Sequence, residues 1–220
     1  MPESIDPPAR PLDAVPDAFT TGSTVLVASA GEPSRSALGL RLLARVGTRD
    51  DAAVVVTTTE SAERTVETFE GLSSAANRPS IGLVDTISEQ QSVSARYDAI
   101  PVVYTPSASD LERLVMALSE VAGGVAPSAG DRHLLVRSLT PLLESAPTAR
   151  VCSVLDRITG FRSGTGLTMI GLDYTAIDAE TMATVTEQVD GILWATRRPS
   201  ESVKLTYRPS RGHHASQTEN

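Results

Sequence analysis

The stretch TVLVASAGEPSRSALGLRLLARV, Thr24 to Val46, decides the fold. Val25 to Ala28 are apolar and read as a short buried strand. Ser29-Ala30-Gly31-Glu32-Pro33-Ser34 is a run of turn formers. Leu38, Leu42, Leu43 and Val46 then recur at helical spacing, which predicts a helix over about 35–46. Strand, tight loop and helix in that order is the geometry in which backbone N–H groups at a helix N-terminus cradle a phosphate.

The same alternation continues downstream. AAVVVT, Ala52 to Thr57, is a β-branched run that reads as a second buried strand, followed by Thr58-Thr59-Glu60 and by Ser61 as a helix cap. Ile81–Val84 and Ile100–Tyr104 are further strands, while 86–99 is polar and shows no period. Leu111, Leu114, Val115, Leu118 and Val121 define a helix capped by Ser107 or Ser109. His133–Val136, Leu167–Leu172, Gly191–Thr196 and Ser202–Tyr207 are the later strands, with helices expected around 139–144, 149–160 and 179–189. Short, continuously apolar strands alternating with helices imply an α/β fold with three layers, a mostly parallel central sheet flanked by helices. Ligands of such sheets bind at the carboxyl ends of the strands, here Ser29–Ser36, Thr57–Ser61, Asp85, Arg137-Ser138 and Asp173.

With 220 residues the chain suits one substantial domain, expected over 19–207. Residues 1–18 hold five prolines and no apolar period, which predicts a flexible arm; 208–220 read as a flexible polar tail. Net charge is -8, which disfavours nucleic acid and anionic membranes as partners. Lys204 is the one lysine, so the basic residues are almost all arginine, a balance that resembles a GC-rich, salt-loving organism's and that simple codon bias also produces. Cys152 stands alone among apolar neighbours, no run approaches the ~20 residues of a membrane span, and the acidic, Pro-rich start is unlike a signal peptide. A cytoplasmic setting is expected.

A working phosphate loop follows G-x-x-x-x-G-K-[ST], with lysine on the β/γ-phosphates and the hydroxyl on magnesium. Placing Ser36 at the hydroxyl position puts Ser29 and Ser34 on the glycines and Arg35 on the lysine. Arginine keeps the charge but is a planar fork where a compact ammonium is needed.

Over about Phe19 to His213 the chain resembles the RecA/KaiC-like P-loop superfamily, and most of all the degenerate KaiC-like (RecA-like) proteins of haloarchaea. The resemblance is carried by GSTVLVASAGEPSRSALGLRLL, VVVTTTES, HLLVRSLTPLL, LTMIGLDYTAIDAETMATVTEQVDGILWAT and the terminal SRGHH. It implies that Glu60 matches the glutamate that polarises the attacking water in active relatives. Ser138 matches the serine after the Walker B carboxylate, and Arg137 stands where that carboxylate belongs. Asp190-Gly191 matches a DG that opens the next strand. Arg211-Gly212 resembles a strand end that reaches a neighbour's nucleotide, with Pro209 in place of the expected lysine. Ser29, Gly31, Ser34, Arg35, Ser36 and Ser138 thus form a vestigial phosphate loop, and no catalytic residue is assigned beyond a vestigial Glu60.

Phosphoryl transfer depends on the glycines, the lysine and the carboxylate together. The expectation is therefore a non-catalytic domain without cofactor, regulatory or signalling through protein–protein contacts. The alternative is an atypical ATP-binding protein or weak ATPase using Arg35, Ser36 and Glu60 with ATP and magnesium. Relatives that form rings or filaments make a homo-oligomer a further expectation. Other readings are structural. Glu60 suits a first helical turn, and Arg137 suits an ion pair with Asp85 or Asp173, or a solvent-facing position. Asp173 and Asp178 suit turns, His133 and Trp194 suit the core, and the three histidines with one cysteine form no metal-ligand pattern.

Overall fold

The computed structural model describes residues 12, 15–16, 22–33, 37–72, 77–88, 94–97, 100–197 and 203–210. The first strand, β1 (Thr24–Ser29), is buried at every position. It is followed by α1 (Leu38–Val46), β2 (Ala52–Thr57), α2 (Ala62–Leu72), β3 (Ser80–Asp85), β4 (Ser94–Tyr97), β5 (Ile100–Tyr104) and α3 (Leu111–Gly124). The second half runs β6 (Arg132–Val136), α4 (Thr140–Ser145), α5 (Thr148–Ile158), a 3-10 turn (Thr159–Phe161), β7 (Thr168–Asp173), α6 (Ala179–Thr186), β8 (Gly191–Arg197) and β9 (Val203–Pro209).

The nine strands lie in the order β4-β5-β3-β2-β6-β7-β1-β8-β9. The edge strands β4 and β9 run antiparallel to their neighbours and all the others are parallel. β1 and β2 are apolar on both faces because helices cover both. Leu26, Ala28, Val54 and Val56 point into the layer of α3, α4, α5 and α6. Val25, Val27, Ala53 and Val55 point into the layer of α1 and α2. The expected three-layer α/β architecture is the one observed. Asp190 ties β8 to β1, its Oδ2 accepting the Thr24 N–H at 2.7 Å so that β8 starts level with β1.

Three local expectations are corrected. The α3 cap is Asp110, whose Oδ1 accepts the Arg113 N–H at 3.2 Å. The Ser107 hydroxyl is used one turn earlier, accepting from the Ser109 N–H at 3.1 Å. The polar stretch 86–99 contains β4, whose backbone pairs with β5 without any buried-face period to announce it. At the other edge, β9 continues through Pro209 into the segment expected as tail, as an edge strand can.

In the expected N-terminal arm, Leu12 makes an isolated parallel bridge to Val203. Leu12 and Val15 both pack on the α1–α2 layer. The rest of that arm apart from Pro16, and residues 211–220, lie outside the described residues. His133 is structural as expected, buried with its Nδ1 accepting the Leu167 N–H at 3.0 Å. Cys152 is buried on α5. Trp194 is half-buried, edge-on to Tyr174 with ring centroids 5.3 Å apart.

Candidate functional site

Because β1, β7, β6, β2 and β3 are parallel, their carboxyl ends converge on one edge of the sheet. At the end of β6 the chain crosses towards β2, the Arg137 N–H donating to the Val56 carbonyl at 3.0 Å. This delivers the Arg137 side chain to the mouth of β2. There its Nη1 lies 2.9 Å from Glu60 Oε2 and 2.6 Å from Thr65 Oγ1. The guanidinium side chain is 2% exposed and its carboxylate partner 27%. Arg137 therefore pairs with Glu60, and not with Asp85 or Asp173 as the sequence reading offered, nor does it face solvent.

The two acids named as alternatives are engaged elsewhere. The fully buried Asp85 accepts the Ala62 N–H at 2.7 Å, the Ile87 and Ser88 N–H groups at 2.8 and 3.0 Å, and the Ser88 hydroxyl at 2.7 Å. It thereby caps α2 and shapes the turn after β3. Glu60 is not a first-turn acid of α2 either, because the helix begins at Ala62 and the Ser61 hydroxyl accepts the Arg64 N–H at 3.3 Å.

The loop after β1 closes on itself. Ser29 Oγ donates to the Gly31 carbonyl at 3.0 Å, and the Gly31 N–H donates to Asp173 Oδ1 at 3.0 Å. Gly31 has φ +82°, a conformation its missing Cβ permits. Glu32 then turns inward, its Oε2 accepting from Ser138 Oγ at 3.1 Å, while Thr58 Oγ1 donates to the Ser138 carbonyl at 2.7 Å. Ser34, Arg35 and Ser36 lie outside the described residues. Of the expected site, the fold brings Ser29, Gly31, Ser138 and Glu60 to one edge. It joins to them Glu32, Thr58 and Asp173, which the strand-end reading had placed at that edge, and adds Thr65, which no sequence pattern marked. Among the described residues no group of three His, Cys, Asp or Glu side chains could hold a metal ion.

Ala37, the residue before α1, has φ +50°, and its side chain makes no capping bond. A Cβ in this left-handed region costs about 1–2 kcal/mol, while glycine adds roughly 0.5–1 kcal/mol of unfolded-chain entropy. Ala37→Gly is therefore expected to be neutral or more stable by up to about 1 kcal/mol, checked by urea unfolding.

Burial alone would raise the Asp173 carboxyl, but the Thr175 hydroxyl and N–H and the Gly31 N–H outweigh it and hold the group below the usual carboxylate range. A lowered folded-state value favours the charged form. Its contribution is complete above the unfolded value of about 3.9 and fades as pH falls through the folded one. Asp173→Asn is accordingly less stable than the native chain at neutral pH, and that gap narrows below about pH 4 in urea titrations.

A mostly parallel sheet between helical layers, with a strand–loop–helix formed by β1 and α1 and polar groups at the carboxyl ends, is a RecA-like α/β fold. The chain belongs to DUF7504, a family of unknown function whose profile matches residues 22–193. No curated protein matches the sequence. Among solved structures it is similar to an uncharacterized protein from Pyrococcus horikoshii in complex with an unknown peptide. That match has a TM-score of 0.58 at 13% identity and covers 86% of this chain and 84% of that one. It is also similar to a KaiC-like protein from Pyrococcus horikoshii OT3, with a TM-score of 0.50 at 14% identity over 92% of this chain and 89% of that one. At these identities the likeness is one of fold.

Proposed function

We propose that the protein is a non-catalytic RecA/KaiC-like domain with degenerate Walker A and Walker B positions, acting through protein–protein contacts in a regulatory or signalling role. The observation that carries this reading is the buried Arg137–Glu60 pair. A magnesium nucleotide needs a carboxylate to organise the metal, N–H donors for the phosphates and a glutamate able to orient water. Here a guanidinium ends β6 and holds the glutamate, Asp173 takes the Gly31 N–H, and Glu32 adds negative charge beside Ser138. The residues present do not fit a magnesium-bound nucleotide.

The acidic, lysine-poor composition agrees with a haloarchaeal protein working in the cytoplasm. The Pyrococcus protein of like fold was crystallised with an unknown peptide, which is consistent with this architecture serving protein contacts. ATP turnover by purified protein, compared with an Arg35→Ala/Glu60→Gln variant, tests the reading. Equal phosphate release from both is expected. Release well above the variant would favour an atypical ATPase using Arg35, Ser36 and Glu60.

A further inference from the structure

At the amino edge of the sheet, opposite the cleft at the strand ends, β3 and β5 do not pair along their full length. Their ladder begins only at Leu83 and Val102, although β3 starts at Ser80 and β5 at Ile100. Pro101 has no N–H with which to extend it. Where the ladder stops there is a cavity of about 440 Å³, within the roughly 300–1,000 Å³ range of ligand sites. The buried Phe69, Ile81 and Val125, with Pro101, form its apolar lining. Its charged groups are Arg78 and Glu70, joined by Arg78 Nη2 donating to Glu70 Oε1 at 2.8 Å. The Arg78 guanidinium also lies over the Phe69 ring, 5.8 Å from its centroid, with its side chain 19% exposed. Arg78 Nε and Nη1 and Glu70 Oε2 have no hydrogen-bond partner among the described residues, and solvent reaches them.

We infer that this cavity is a binding site for a free apolar α-amino acid. The Arg78–Glu70 pair sets a positive and a negative group side by side at the wall of an apolar chamber. The ligand that complements it carries a carboxylate, an ammonium and an apolar side chain on one carbon. Its carboxylate accepts from the guanidinium N–H groups that Glu70 leaves unused. Its ammonium donates to Glu70 Oε2. The last turns of α2 and α3 border the cavity, and neither holds a basic residue, so the negative ends of both helix dipoles also favour the ammonium. The side chain lies against Phe69, Ile81 and Val125. A ligand with a carboxylate alone meets Glu70, and one with an ammonium alone meets Arg78, so the pair discriminates in favour of the zwitterion.

The site lies away from the strand-end cleft, so nucleotide turnover bears on neither its success nor its failure. Isothermal titration calorimetry of the full chain with L-leucine and L-phenylalanine tests it. Saturable binding of at least one of them, with a Kd of about 1 mM or tighter, is expected. The N-acetyl and the carboxamide derivatives of the same amino acid each lack one charge and are expected to bind about tenfold or more weakly. Ala126→Phe places a ring at the rim of the cavity from an exposed position. Arg78→Met keeps an apolar stem and removes the charge. Both variants are expected to lose binding, and thermal melts without ligand verify that they fold. Failure of both amino acids to bind saturably overturns the inference. So does an N-acetyl derivative that binds as well as the zwitterion, or binding that survives Ala126→Phe.

Discussion

Glu60→Ala is expected to destabilise the protein by about 3 kcal/mol, because it leaves the Arg137 guanidinium buried without its carboxylate. For a chain of this size that is a fall in melting temperature of roughly 6–12 °C. A water-polarising glutamate in an open active site would behave differently, since its removal abolishes turnover while stability changes little. Arg137→Ala is expected to cost somewhat less, because the stranded Glu60 side chain is 27% exposed and can be hydrated. The two losses are not additive. Replacing both with apolar residues, Arg137→Met/Glu60→Leu, removes the desolvated charge altogether and recovers most of the stability of the single variants. Thr65 keeps part of the deficit, since its hydroxyl loses the 2.6 Å contact to Arg137. Thermal and urea unfolding of the three variants give the coupling directly.

Gly171→Ala is expected to be at least as damaging. A Cβ at Gly171 in β7 would sit 2.1 Å from the Arg137 carbonyl oxygen and 3.1 Å from Pro33 Cγ. The nearest obstacle is backbone, which cannot rotate away as a side chain can. The Leu139 N–H also donates to the Gly171 carbonyl at 2.7 Å, so the two segments are already locked together. Overpacking of a core ordinarily costs about 1–3 kcal/mol, and collision with main chain places this substitution at or above the top of that range. Besides a large loss of stability, the variant should displace Arg137 from Glu60 and raise hydrogen exchange at Arg137, Ser138 and Leu139. Gly71→Ala, on the exposed surface of α2 with open space at its Cβ, is the matched control.

These two sites show what a one-dimensional reading reaches. The strands were legible because β1 and β2 are unbroken apolar runs, as strands covered on both faces must be. Arg137 was conspicuous as a charge at the end of such a run. Its partner was not, because Glu60 is 77 residues away and the contact exists only through the β2–β6 pairing. Strand order leaves no trace in periodicity. The same holds for Asp173 and Gly31, separated by 142 residues. Gly171 gave no signal at all, since its requirement comes from a chain crossing above it. The β4 strand was missed for the opposite reason: it is an edge strand in a polar segment, held by its backbone. At Ser107, Ser109 and Asp110 the local chemistry offered three caps, and only the turn geometry selects the third.

With Arg137 held on Glu60 and the Gly31 N–H on Asp173, the cleft at the strand ends is expected to take no magnesium nucleotide. Thermal unfolding in molar KCl, with and without millimolar ATP and Mg²⁺, tests it most directly, since any ligand selective for the folded state must raise the melting temperature. The account predicts no shift for the native chain. A saturable, magnesium-dependent increase, lost on substituting Arg35 or Ser36, would contradict it.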